Sequence, residues 1–232
     1  MIDYVNRLGD GAPLIGPPPK GAAVAVWSLD TRLDSVAGHP VAEASAVLDA
    51  TEQDRAGRLV HPADRHRYLA SHLGLRALLG GYLGLAAHEV TLVRETCPCC
   101  GGPHGRPAAA GGAIHFSLSH SGDVAYLAFA GVPVGIDVEE TPSTEALADV
   151  LPLLHPAEIA ELNALPEADR RTALARVWCR KEACLKADGT GLALGLVDPY
   201  VGSAPAPAPV PGWTVRDLPA PTDYAAALAV QA

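Results

Sequence analysis

The segment PADRHRYLASHLGLR, starting at Pro62, lies over EADRRTALARVWCRK, starting at Glu167, at one constant offset. Ala63, Asp64, Arg65, Leu69 and Ala70 recur as Ala168, Asp169, Arg170, Leu174 and Ala175, and Arg76 meets Lys181. Each copy reads as a helix between strand patterns, so the echo predicts two related halves about a pseudo-twofold axis with a cleft between them. The 232 residues suffice for one large domain or two small ones with a sizeable core.

Composition narrows the function classes. A hydrophobic content of 49% fits a packed fold, and no apolar run approaches a membrane span. The start, MIDYVNRLGDGAP, lacks a basic patch followed by an apolar core, so no export signal is read and the cytoplasm is expected. A net charge of −9 argues against a broad nucleic-acid-binding face, which needs cations to displace counterions. Five cysteines, an odd number, fit reduced thiols better than a disulfide framework.

The chain has only three lysines, and two of them, Lys181 and Lys186, fall in RVWCRKEACLKADGTGL, residues 176–192. Drawn as a helix, Leu174, Val177, Trp178, Cys184 and Leu185 form one apolar arc, with Glu182 and Lys186 four apart along its edge. Lys181 lands inside the arc, where it either snorkels or brings charge to a cleft. By itself a glutamate four residues before a lysine describes a surface ion pair, so the case for chemistry rests on the rest of the chain.

In GVPVGIDVEE, Val134, Ile136 and Val138 face one way along a strand, and Gly135, Asp137 and Glu139 the other. Asp137 and Glu139 then stand roughly 7 Å apart on one face, where they can hold a hard cation such as magnesium; alone, the pattern equally describes an exposed acidic strand. IHFSLS alternates as a strand, with Ser117 and Ser119 on one side, and SHSGD, residues 119–123, reads as a turn. The first 20 residues read as an irregular lead-in, VAVWSL as a first strand, 41–59, 144–165 and 167–187 as helical, and WTVRDL and YAAALAV as closing strands. Arg55, Arg58, Arg65, Arg67 and Arg76 crowd one region, as a solvated face or as the one positive feature of an acidic chain. Cys97, Cys99, Cys100 and His104 lie close together in TCPCCGGPHGRP, which reads as a loop or as a structural zinc site.

Together FSLSHSG, VGIDVEE and WCRKEACLK resemble the signature of Sfp-type 4'-phosphopantetheinyl transferases. The similarity covers about Arg55 to Leu192, and its specific parts are the GIDxE and WxxKExxxK pair. The resemblance implies an α+β monomer of two pseudo-symmetric halves, here 1–130 and 131–232, each a small antiparallel sheet packed on a long helix, with the active site in the cleft. It implies transfer of 4'-phosphopantetheine from coenzyme A to a serine of an apo acyl or peptidyl carrier protein, with magnesium, releasing adenosine 3',5'-bisphosphate. Carried over by position, Asp137, Glu139 and Glu182 surround the metal. Ser119 and His120 touch coenzyme phosphates, Lys186 the pyrophosphate, Arg106 the coenzyme, and Arg55 and Arg67 the 3'-phosphate. Glu52 stands where the family's type member carries a lysine, and Glu140 adds an acid after Glu139.

The residue types agree with that chemistry. Phosphoryl transfer needs cations on the non-bridging oxygens and a base for the hydroxyl proton, which makes Glu182 and Lys186 the expected catalytic residues. Two rival readings are a magnesium-dependent nucleotide pyrophosphatase, which uses water in place of serine, and a non-catalytic module that binds coenzyme A or a carrier protein. Retention of Asp137, His120, Glu182 and Lys186 together disfavours the module.

Overall fold

The computed structural model describes residues 5–103, 105–191 and 195–232. The chain runs β1 (Asn6–Leu8), β2 (Val24–Asp30), β3 (Ser35–Val36), β4 (His39–Pro40), a 3-10 turn at Val41–Ala46, α1 (Ala50–Gly57) and α2 (Pro62–Leu83). There follow β5 (Leu92–Arg94), β6 (Pro107–Ala109), β7 (His115–Ser121), β8 (Val124–Ala130) and β9 (Val134–Glu140). Last come α3 (Thr144–Val150), α4 (Pro156–Ala164), α5 (Glu167–Asp188), β10 (Trp213–Leu218) and β11 (Tyr224–Gln231). It is a mixed helix and sheet protein of the α+β class.

The echoed segments form the two longest helices, α2 and α5, each of 22 residues. Pro62 opens α2, where its missing N–H costs nothing, and Pro166 precedes α5. Each helix ends on a left-handed glycine, Gly84 at φ 70° and Gly189 at φ 84°, a conformation that spares Cβ strain and lets the cap amide bond back to a helix carbonyl. The offset that aligns the sequences therefore also aligns both ends of the helices.

Strands β1, β2, β8 and β7 form one sheet, and β10, β11 and β9 another. Alternation along the strands gives each sheet two apolar faces. Trp27, Leu29, Leu127 and Phe129 pack with Leu73, Leu78 and Leu79 of α2. Val26 and Ala128, on the opposite face, meet Ile136, Val138, Leu228 and Val230 of the second sheet. The far face of that sheet, with Ala227 and Ala229, packs on Val177, Ala183 and Cys184 of α5. The order of layers is helix, sheet, sheet, helix. Gly135 is what lets α5 close on β9: a Cβ there would collide with the Ala183 carbonyl and the Ala187 amide.

Four expectations change. The lead-in contains a strand, because β1 pairs parallel with β2 from Asn6 to Leu8, so the first sheet is mixed instead of purely antiparallel. SHSGD is not a turn throughout: β7 continues to Ser121 opposite Val124, and only Gly122 and Asp123 turn, with Gly122 at φ 51°. Ser119 and His120 therefore lie on a strand. The helical pattern of 41–59 divides into the 3-10 turn and α1, where Asp49 and Glu52 form a capping box, and that of 144–165 divides at Pro152 and Pro156. Among the described residues no helix is long and apolar enough to cross a membrane.

Candidate active site

The site is built where β7, β9 and α5 meet. Alternate serines of β7 reach across to β9: Ser117 Oγ accepts the Ile136 amide at 3.1 Å, and Ser121 Oγ accepts that of Glu140 at 3.3 Å. Between them Ser119 donates to Asp137 Oδ1 at 2.7 Å. Lys186, one turn from the end of α5, donates to that same oxygen at 2.6 Å, to Ser119 Oγ at 2.9 Å and to the Ile136 carbonyl at 3.3 Å. Three elements are thus tied by one ammonium, one carboxylate and one hydroxyl. The structure separates the pair seen in sequence: the recorded partner of Lys186 is Asp137, not Glu182.

Asp137 is 1% exposed, and its Oδ2 has no hydrogen-bond partner; Oε1 of Glu182 is likewise buried and unpartnered. Burial, then the charge of Asp137, holds the Glu182 carboxyl above the usual carboxylate range. Burial and the same aspartate do so for Glu139, helped by Glu182. Hard oxygens that are desolvated and mutually repelling are the donor set a small divalent cation suits. Among the described residues no three His, Cys, Asp or Glu side chains are already gathered as a metal-holding set.

The other wall is basic. His120 keeps an exposed edge, yet burial, then the charges of His72, Lys186, Arg55 and Arg67, holds its imidazole below the ordinary histidine range. The guanidinium of Arg55 lies 6.0 Å over the Tyr68 ring. Arg67 is tied to Asp123 at 2.8 Å and to Asp64 at 3.0 Å, which pins the β7–β8 turn to α2. Arg106 pairs with Glu95 at 2.7 Å and donates to the Ala187 carbonyl at the end of α5. Of the arginine cluster, Arg58 and Arg65 are exposed, whereas Arg76 is buried against Glu52 and Asp49.

Lys181 does not enter the site. It is fully buried, 2.9 Å from Glu158, and donates to the carbonyls of Val197 and Pro199. Glu52 is engaged in the same way with Arg76. Sequence reasoning missed Tyr68 and His72. Their signal was a stripe along α2, Tyr68, His72 and Arg76, spaced four apart on the face toward Glu52.

In the cysteine loop, Cys97 is buried and the amides of Cys99 and Cys100 point at its sulfur. His104 lies outside the described residues, and among those described no three His, Cys, Asp or Glu side chains form a metal-holding group in the loop.

Buried hard oxygens with a lysine on one side and a histidine–arginine wall on the other are groups of the kind that suit a polyanionic ligand. The model of the 4'-phosphopantetheinyl transferase superfamily matches residues 133–229, which include β9, α5, β10 and most of β11. The chain is 34% identical over 198 residues to 4'-phosphopantetheinyl transferase HetI of Nostoc, covering 80% of this chain and 79% of that protein. It is 31% identical over 198 residues to the phosphopantetheinyl transferase of Thraustochytrium, covering 77% and 65%, and 25% identical over 150 residues to Sfp of Bacillus subtilis, covering 64% and 63%. The chain belongs to the 4'-phosphopantetheinyl transferase family and is an enzyme of that kind.

Proposed function

We propose that the chain transfers the 4'-phosphopantetheine of coenzyme A to a serine of an apo acyl or peptidyl carrier protein, with magnesium, releasing adenosine 3',5'-bisphosphate. The observation that carries this reading is the Lys186–Asp137–Ser119 cluster beside the unpartnered oxygens of Asp137 and Glu182. Asp137, Glu139 and Glu182 would hold the magnesium, which supplies charge neutralisation at the pyrophosphate. Lys186 follows the negative charge that develops on the leaving bisphosphate. Glu182 takes the proton of the attacking serine, for which a raised carboxylate is suited near neutral pH. His120, Arg55, Arg67 and Arg106 hold the coenzyme's phosphates, and Ser119 orients Lys186 and Asp137 for them.

The halves are 1–130 and 131–232, related by a pseudo-twofold axis with the site in the cleft between them. Support comes from two sheets that share no strand and from helices matched at both ends. The enzyme acts as a cytoplasmic monomer on carriers of fatty-acid, polyketide or nonribosomal-peptide type. A cavity of about 180 Å³ lined by Glu139, Pro142, Val150, Leu174 and Trp178 opens beside the carboxylates.

The test is to mix protein, coenzyme A, magnesium and apo carriers and weigh the carriers by mass spectrometry. Addition of one phosphopantetheine is expected. No gain across several carriers overturns transfer, and bisphosphate release without a carrier points to hydrolysis.

Magnesium binding has a readout of its own. Because burial raises the carboxyls of Glu139 and Glu182, their contribution to stability is full below the unfolded glutamate pKa of about 4.3 and is lost as pH rises through the folded values. Magnesium at a hundredfold its Kd should therefore stabilise the protein by about 2.7 kcal/mol at pH 8, raising Tm, and leave Tm nearly unchanged at pH 4. An equal rise at both pH values would place the ion elsewhere.

A further inference from the structure

Glu52 is 5% exposed and accepts from three groups: the Asp49 amide closing the capping box, Arg76 Nε at 2.6 Å, and His72 Nδ1 at 2.7 Å. Arg76, buried and also bonded to Asp49 and to the Val90 carbonyl, already offsets the glutamate's charge. The bond to His72 therefore fixes the ring: with Nδ1 donating to the carboxylate, Nε2 is the end left to face outward. The ring is stacked on Tyr68 with centroids 4.0 Å apart, and Tyr68 in turn lies beneath Arg55. Doubly protonated, the ring presents Nε2–H to an anion while Nδ1–H stays on the carboxylate. His72 shares the surroundings of His120 with Arg55, Arg67 and Lys186, on the α2 side of that group.

Coenzyme A carries two anionic groups, the pyrophosphate and the ribose 3'-phosphate. Lys186 and the carboxylates of β9 and α5 account for the first. We propose that His72, held by Glu52, binds the 3'-phosphate of coenzyme A and gives the enzyme its preference for coenzyme A over the 3'-dephospho form. This rests on the coenzyme reading above.

Calorimetry with magnesium and no carrier tests it, using coenzyme A and 3'-dephospho-coenzyme A as the probes. His72→Ala is expected to weaken coenzyme A about tenfold to a hundredfold and to leave dephospho-coenzyme A unchanged. His72→Asn, which keeps a donor toward Glu52, should lose the preference while keeping the wild-type Tm, and His72→Lys should keep the preference. Equal weakening of both ligands, or of neither, by the alanine and asparagine variants would overturn the proposal. Binding is read without a carrier, so a failure of transfer shows separately, as carriers that gain no mass despite tight coenzyme binding. A chain that binds neither form would overturn the coenzyme reading as well.

Discussion

Glu182→Gln is expected to lower phosphopantetheine transfer by about 10²–10⁴-fold while the protein stays folded. The substitution keeps shape and removes charge from a carboxyl whose Oε1 is buried without a partner, near Asp137. Since burial and Asp137 raise its pKa, ionised Glu182 opposes folding at neutral pH. The glutamine variant should therefore match or exceed the wild-type Tm at pH 7–8, and the difference should vanish below about pH 4, where the unfolded glutamate is also protonated. Part of the magnesium-induced rise in Tm should be lost as well. A variant inactive because it is misfolded would instead show a lowered Tm at every pH. Near-normal turnover by the carrier mass assay would place the base elsewhere.

Much of the framework was legible in the sequence because helix periodicity and caps are local. The echo marked where α2 and α5 begin, and period two set Gly135, Asp137 and Glu139 on one face, where the helix indeed packs. Partners that come from far along the chain were not legible. Glu182 and Lys186 look like a pair on a helix drawn alone, but β9 brings Asp137 to 2.6 Å from Lys186 and takes it. Strand β1 was missed because three residues carry too little alternation to register, and its pairing needs β2 beside it. The extent of β7 was hidden by SHSG, whose polarity reads as a turn although its serines serve β9. His72 sits in no motif, and only the Glu52 bond gives it direction.

The second large effect concerns stability, and it settles the cation in the apolar arc. Lys181 and Glu158 both have side chains with 0% exposure, joined at 2.9 Å. Glu158 is at the same time the capping-box residue of α4 and accepts the Val201 amide, while Lys181 bonds the carbonyls of Val197 and Pro199. The pair therefore ties α5, α4 and the segment after α5 at one point. Lys181→Met leaves a glutamate buried and unpaired, at a cost of about 3–5 kcal/mol, or a fall in Tm of about 6–20 °C. Lys181→Met with Glu158→Gln should recover much of this, because an uncharged amide still accepts the Val201 amide and brings no buried charge. Urea unfolding of the single and double variants measures the coupling; equal losses in both would show that the cost lies in packing and not in the stranded carboxylate. Arg76→Met, at the echoed position, should cost less, because Glu52 keeps the Asp49 amide and His72 Nδ1 as partners. A lysine next to Glu182 would then serve for what it holds in place, with turnover per folded molecule largely intact.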